Sequence, residues 1–276
     1  MDVETTLAWL LDWKVLSLVI IVAWSVIIVA LERRFPYDRG QKIFREGFFT
    51  DLLAYGIAQS IVLGWVIDGL IRAIDNQSGL SRLQLVSDWP VAGQLFFFFL
   101  THDFYIYCFH RLQHTVPWLW RTHEAHHSVR DVDWMAGTRS HPLEILINQT
   151  VEFLPIVLLG AAPEVAPMKA SLDAVWGMYI HSNVNVRSGA LQHVINGPEM
   201  HRWHHALEVR NVNFSTKLAV WDFLFGTAYL PRDKKPQGYG LDEEDYPKDY
   251  FHQVLWAFWR VKLTDYLRVL RGTGRV

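Results

Sequence analysis

The sequence holds a single cysteine, Cys108, among 276 residues. That excludes a disulfide framework, and with it the thiolate zinc ribbons and iron–sulfur clusters that need several cysteines on one ion. Excess charge is also missing: 26 Lys and Arg stand against 28 Asp and Glu, a formal net charge of -2. Without a basic surplus there is no electrostatic footprint for nucleic acid, and no nucleic-acid partner is expected. Walker A and GxGxxG patterns, internal repeats and low-complexity tracts are absent as well. Charged residues make up 20% of the chain against 51% apolar and 14% aromatic, which excludes a disordered or fibrous protein. Mean hydropathy is only +0.08, too low for a bundle wholly within a membrane.

Long apolar runs are present. Val15 to Leu31 is uncharged and bounded by Lys14 and by Glu32, Arg33 and Arg34. At about 1.5 Å per residue, with flanking residues snorkelling, it approaches the ~30 Å hydrocarbon core of a bilayer. Asp2 and Glu4 stand where a signal peptide would be basic, so the run is expected to remain as an anchor. Shorter runs follow at Leu52 to Ile67 and from Pro90 to His102. Ile145 to Pro163 and Ala166 to Asn183 form an interrupted pair carrying Glu152, Pro155, Lys169 and Asp173. The expected fold is all-α: a polytopic membrane helical bundle of four to five membrane segments with a cytosolic, histidine-lined helical cap.

Arg33, Arg34, Arg39, Lys42 and Arg45 crowd the loop after the first run, and Arg82 stands alone after the second. The positive-inside rule makes the first loop cytoplasmic, and the third run then returns the chain to that side near residue 110. Three regions are expected: membrane-anchor helices over 1–100, a histidine-bearing catalytic region with a membrane hairpin over 101–230, and a cytosolic or interfacial tail over 231–276. The tail closes on an amphipathic pattern, apolar at Val254, Leu255, Phe258, Val261 and Leu263.

Thirteen histidines oppose the one cysteine, and eight fall into three clusters. His110 and His114 form HxxxH; His123, His126 and His127 form HxxHH; His201, His204 and His205 form a second HxxHH. On a helix these spacings share a face, so three faces can converge. One ion takes about three or four protein ligands, so eight imidazoles imply two metals. Imidazole suits iron, copper, nickel or zinc.

The order HRLQH, HEAHH, apolar hairpin, HRWHH resembles the fatty acid hydroxylase and sterol desaturase superfamily. DFYIYCFHRLQH, RTHEAHHS, RSHPLE, PEMHRWHH and WDFLFGT, between Asp103 and Thr227, carry the resemblance. It implies an integral membrane, multi-pass enzyme of the bacterial inner membrane or endoplasmic reticulum, with its histidines on the cytoplasmic side. The implied cofactor is a non-haem pair of iron ions, two Fe held by His110, His114, His123, His126, His127, His201, His204 and His205. The implied reaction is O2-dependent hydroxylation or desaturation of a C–H bond in a fatty-acyl or sterol-like membrane lipid. His181 is an additional candidate ligand, although Asn185 stands where larger histidine sets complete an HxxxH.

Further candidates surround these. Asp103 lies seven residues before His110 and shares its helix face, where it could hold an imidazole N–H. Asp222, Asn185 and Asn213 are weaker candidates for the same role. His141 could orient Glu144 or cap a loop, and His102 reads as interfacial; His193 and His252 need no metal. The chain has no nicotinamide or haem motif, so electrons must come from an external NAD(P)H-linked carrier or reductase. Arg111, Arg121 and Arg139 are candidate docking contacts for it. Phe96 to Phe99 and Trp176 could line a lipid path. A rival reading remains: His123, Glu124 and His127 also spell HExxH, the signature of a zinc metalloprotease, here an intramembrane one. Arg202 in the third cluster, where that motif needs glutamate, argues against it, as do the two further histidine clusters. A metal transporter would place its ligands near the bilayer midplane instead.

Overall fold

The computed structural model describes residues 12–231, 233–242 and 245–259. Val261 and Leu263 of the expected amphipathic tail, and Asp2 and Glu4, lie outside them. The described residues form helices and turns, with two isolated β-bridges and no strand. The helices are α1 (Trp13–Arg34), a π-helix (Thr50–Gln59) running into α2 (Ser60–Ser78), α3 (Val91–Thr115), α4 (Pro117–His127), α5 (Pro142–Leu158), α6 (Val165–His181), α7 (Pro198–His204), α8 (Val220–Leu224) and α9 (Tyr250–Trp259).

Among the described residues, two helical stretches are long and apolar enough to cross a membrane: Trp13–Arg34 and Thr50–Ser78. Asp12 caps α1 by accepting from the Lys14 amide, and Arg33 and Arg34 sit favourably at its carbonyl end. Most of its apolar side chains point outward, among them Leu18 and Val26. Only Ser17, Ile28 and Glu32 are buried, on the stripe facing α6. The π-helix places Asp51, Tyr55 and Gln59 one above another on its buried side. Asp51 meets Arg139 (2.6 Å) and Arg45 (2.7 Å), the Tyr55 hydroxyl donates to Gln253 Oε1, and Gln59 donates to the Ser140 carbonyl.

Pairings along the helices give the packing its direction. Ser17 of α1 donates to the Pro167 carbonyl near the start of α6, and Glu32 at the other end accepts from the Asn183 amide, so α1 and α6 run parallel. The Ala162 amide donates to Gln94 near the start of α3, and Lys169 reaches His102 further on, so α3 also runs with α6. Gln59 meets Ser140 before α5, and the Val86 amide beyond α2 donates to Leu159 after it, so α2 and α5 run the opposite way. The segments 35–49, 116–141 and 182–219 therefore gather at one end of the bundle. That end holds every histidine cluster.

Proline and local geometry fold the clusters onto each other. A residue before proline is pushed out of the α region, and Val116 (φ -108°, ψ 115°) accordingly breaks the chain between α3 and α4. The 14 residues between α4 and α5 are fixed by Asp133, which accepts from the amides of Met135 and Ala136 and pairs with Arg45. Arg45, Asp51, Asp133 and Arg139 form one buried ionic network. Arg139 is thus a structural cation inside the fold and not a docking contact on its surface, as the sequence had suggested.

Candidate metal centre

Nine histidines come together in two groups. His110, His114, His123, His127 and His204 form the first, and His126, His181, His201 and His205 the second; within each, one nitrogen per residue lies within 4.8 Å of all the others. All nine are buried. His181, at the end of α6, belongs to the second group. The HxxHH motifs divide between groups: His123 and His127 enter the first and His126 the second, while His201 and His205 enter the second and His204 the first. Residues i and i+4 share a face, and the remaining histidine is turned aside by about 100° per residue toward the neighbouring group.

Hydrogen bonding determines the tautomers. A carbonyl oxygen only accepts, so an imidazole nitrogen bonded to one must carry the proton. Nδ1 of His110 donates to Phe214 O (2.7 Å), of His126 to Arg139 O (3.1 Å), of His181 to Gly177 O (2.8 Å) and of His204 to Val212 O (2.8 Å). His123 Nδ1 lies 3.0 Å from Glu144 Oε1. Each Nε2 of those four neutral rings then presents a bare lone pair to the interior. His126 Nε2 and His181 Nε2 face each other at 3.2 Å. Two lone pairs at that distance repel, and a cation between the rings removes the conflict. This donor set, with outward N–H groups anchored on carbonyls and a carboxylate, fits metal ions.

Burial also keeps these rings neutral. It holds His110 down to about 4 and pushes His114, His123, His126, His127, His201, His204 and His205 well below the ordinary histidine range, with neighbouring imidazoles adding to the effect in most of them. Neutral imidazole is the form that ligates.

Three of the accompanying residues differ from expectation. Asp103 touches no imidazole; its carboxylate accepts from the amides of Lys217 and Leu218, from Thr216 Oγ1 and from Trp221 Nε1, because the 212–218 segment folds across α3. Asn185 is exposed, and its backbone bridges to Phe35. His102 is buried rather than interfacial, 3.0 Å from Lys169 Nζ. Asp222 acts at one remove: it accepts from the amides of Phe214 and Ser215, and so holds the carbonyl that anchors His110. Asn213 (φ 56°) ties Met200 and Tyr229 to the same segment. His141 caps α5, accepting from the Leu143 amide. His193 and His252 belong to neither group, and His252 pairs with Asp249. Glu124 is buried against Arg121 and joins neither group, which leaves an HExxH base unplaced.

Sequence reasoning missed the anchoring carbonyls, which no residue type announces. It also missed Gly137, where a Cβ would lie 2.8 Å from His181 Nδ1. A cavity of about 250 Å³ adjoins both groups, reaching His110, His123, His126, His181 and His201 on one side and His102, Glu152, Asp173 and Lys217 on the other. Trp176 lines it. The Phe96 to Phe99 stretch does not: Phe96 faces outward, and Phe98 packs with Val86, Ile156 and Val165.

Comparison with known proteins agrees with this geometry. Residues 95–227, a span that contains all nine histidines, match the fatty acid hydroxylase family. Among relatives, an ornithine lipid hydroxylase of Rhizobium tropici is 31% identical over 75% of this chain and 65% of its own length. The human alkylglycerol monooxygenase is 29% identical over 58% of this chain and 37% of its own. A very-long-chain aldehyde decarbonylase of Oryza sativa is 29% identical over 54% and 57%. The chain thus spans less than two thirds of the length of each of these relatives. No solved structure matches it.

Proposed function

We propose that this chain is a multi-pass membrane enzyme that hydroxylates a lipid C–H bond with dioxygen at a histidine-held pair of iron ions. The carrying observation is the pair of histidine groups with bare, mutually facing Nε2 atoms. His110, His114, His123, His127 and His204 would hold one ion, and His126, His181, His201 and His205 the other. Bound there, the ions supply reduction of dioxygen and oxidation of the C–H bond. The balanced reaction takes lipid C–H, O2, two electrons and two protons to C–OH and water, so an external NAD(P)H-linked carrier or reductase is required.

The chain's own residues do the rest. The carbonyls of Phe214, Arg139, Gly177 and Val212 orient the imidazoles and keep them in the ligating tautomer. Asp103, Asn213 and Asp222 hold the 212–218 segment that supplies two of those carbonyls. Burial excludes bulk water from the site. The relatives named as lipid hydroxylase and monooxygenase support hydroxylation over desaturation. Four to five membrane segments, with the histidine end in the cytoplasm, suit the helix directions and the basic loop after α1.

The test is metal analysis with a lipid readout. Purified chain should carry about two irons, and His204→Ala should lose metal and lipid oxidation together. Full oxidation by that variant would overturn the assignment. Zinc alone, with peptide cleavage independent of dioxygen, would favour the protease.

A further inference from the structure

Two exposed charges bracket α3. Between Asp88 and Arg111 there is no Lys, Arg, Asp or Glu other than Asp103, which is buried. From Val91 to Arg111 the helix rises about 30 Å, the thickness of a bilayer's hydrocarbon core. Phe96 and Phe104 lie exposed on the outer side of this stretch.

The short helix α8 packs against it. The Trp221 ring sits 4.9 Å from that of Phe104, the Phe225 ring 5.3 Å from that of Tyr107, and Trp221 Nε1 donates to Asp103 (2.9 Å). Phe104 precedes Arg111 by seven residues, about 10 Å along the axis, so α8 stands well to the apolar side of that charge.

Its surface matches this depth. Over 212–230 the two charged residues, Lys217 and Asp222, are buried, while Val220, Phe223, Leu224 and Phe225 are exposed. Phe223 meets His193 (4.9 Å), which joins α8 to the turn at Gly189–His193, where Leu191 and Val194 also face outward. Together with Phe104 these side chains make one apolar patch, continuous with the outer side of α3. A patch of that kind marks a contact with protein or membrane.

The backbone beneath the patch suits the same surroundings. Irregular chain at bilayer depth is tolerated only where its polar groups are satisfied within the protein. In the 212–218 segment the amides of Phe214 and Ser215 donate to Asp222, those of Lys217 and Leu218 to Asp103, and that of Asn213 to the Thr227 carbonyl. Asn196 donates to the carbonyls of Ser215 and Lys217. A loop in water could leave these groups to solvent.

We propose that α8 and the 189–194 turn form a re-entrant element seated among the acyl chains of the leaflet on the histidine side, rather than on a water-facing cap. Lipid there backs the segment whose Phe214 carbonyl anchors His110. This rests on the reading of the chain as a multi-pass membrane protein.

The experiment places the full chain, with Cys108→Ser, in phosphatidylcholine vesicles and attaches a fluorescent label after Leu224→Cys, Val26→Cys or Arg130→Cys. Phosphatidylcholine spin-labelled on its acyl chain should quench the labels at positions 224 and 26 about threefold, and aqueous iodide should quench only the label at position 130. Iodide quenching at 224, with lipid quenching at 26, would overturn the proposal and leave the membrane reading standing. Protection of 224 from both quenchers, with cross-linked pairs of chains, would assign the patch to a second copy and overturn it equally. No lipid quenching at 26 would overturn the membrane reading itself. Metal analysis tests the link to His110: Leu224→Asn should lower bound iron about twofold and Leu224→Ile should keep it. On a water-facing surface both would be neutral, and full iron in Leu224→Asn would break that link.

Discussion

The outer flank of the helices and the histidine end of the molecule solve opposite problems. Along α1 and the π-helix with α2, large apolar side chains point outward: Val26 is 68% exposed and Trp65 75%. At the histidine end polar groups point inward, and His201 is only 1% exposed. A water-soluble fold would have neither pattern to this extent. The outward apolar surface suits a lipid environment, where nothing is gained by hiding leucine or valine. The inward imidazoles, by contrast, need partners inside the protein. Change on the outer surface should therefore be tolerated, whereas change inside should be felt at once.

Four substitutions and one titration grade that contrast, beginning with the largest effect. His181→Ala removes one ligand candidate of the four-histidine group, and loss of about one of two bound irons with at least a 100-fold fall in lipid oxidation is expected; full iron content by metal analysis would exclude His181. Gly137→Ala pushes a methyl group against His181 Nδ1. It should lower iron content in the same direction with helix content retained, as circular dichroism would show. Asp222→Ala leaves the amides of Phe214 and Ser215 unpaired in a buried site, at a cost of about 2–4 kcal/mol, visible as a lower midpoint in thermal unfolding.

Acid should act on the metal-free chain through the same interior. The folded state holds His110 neutral down to about 4, whereas unfolded histidine takes up its proton near 6.5. Between these values the unfolded chain binds more protons, so the contribution is fully present above about 6.5 and falls as pH drops toward 4, by about 3 kcal/mol for this residue. Denaturant unfolding at several pH values would show a stability independent of pH in that window if the rings were exposed. The smallest effect belongs to the outer surface: Val26→Ala should change detergent-phase stability by no more than about 0.5 kcal/mol. A loss of several kcal/mol there would mean that α1 packs against protein on that face.

Much of this was legible in the residues. HxxxH and HxxHH put the imidazoles of each cluster on one side of a helix because helical spacing is local, and Val15 to Leu31 announced a long apolar helix by composition alone. Arg139 and Asp103 misled because a charge in a sequence carries no statement of its burial. Their partners, Asp51 and the amides of 217 and 218, lie far away along the chain. His181 had no cluster of its own, and only the parallel packing of α6 beside α3 carries it to His126 and His201.

The sequence by itself determined the ligand chemistry and the apolar runs, since both depend on residue type and on spacing within a single helix. Only the tertiary structure decided how nine histidines divide five and four, which nitrogen of each anchored ring faces inward, and which carbonyl holds it there. Those choices depend on segments brought together from distant parts of the chain. A helix can aim its imidazoles, but it cannot supply what they face.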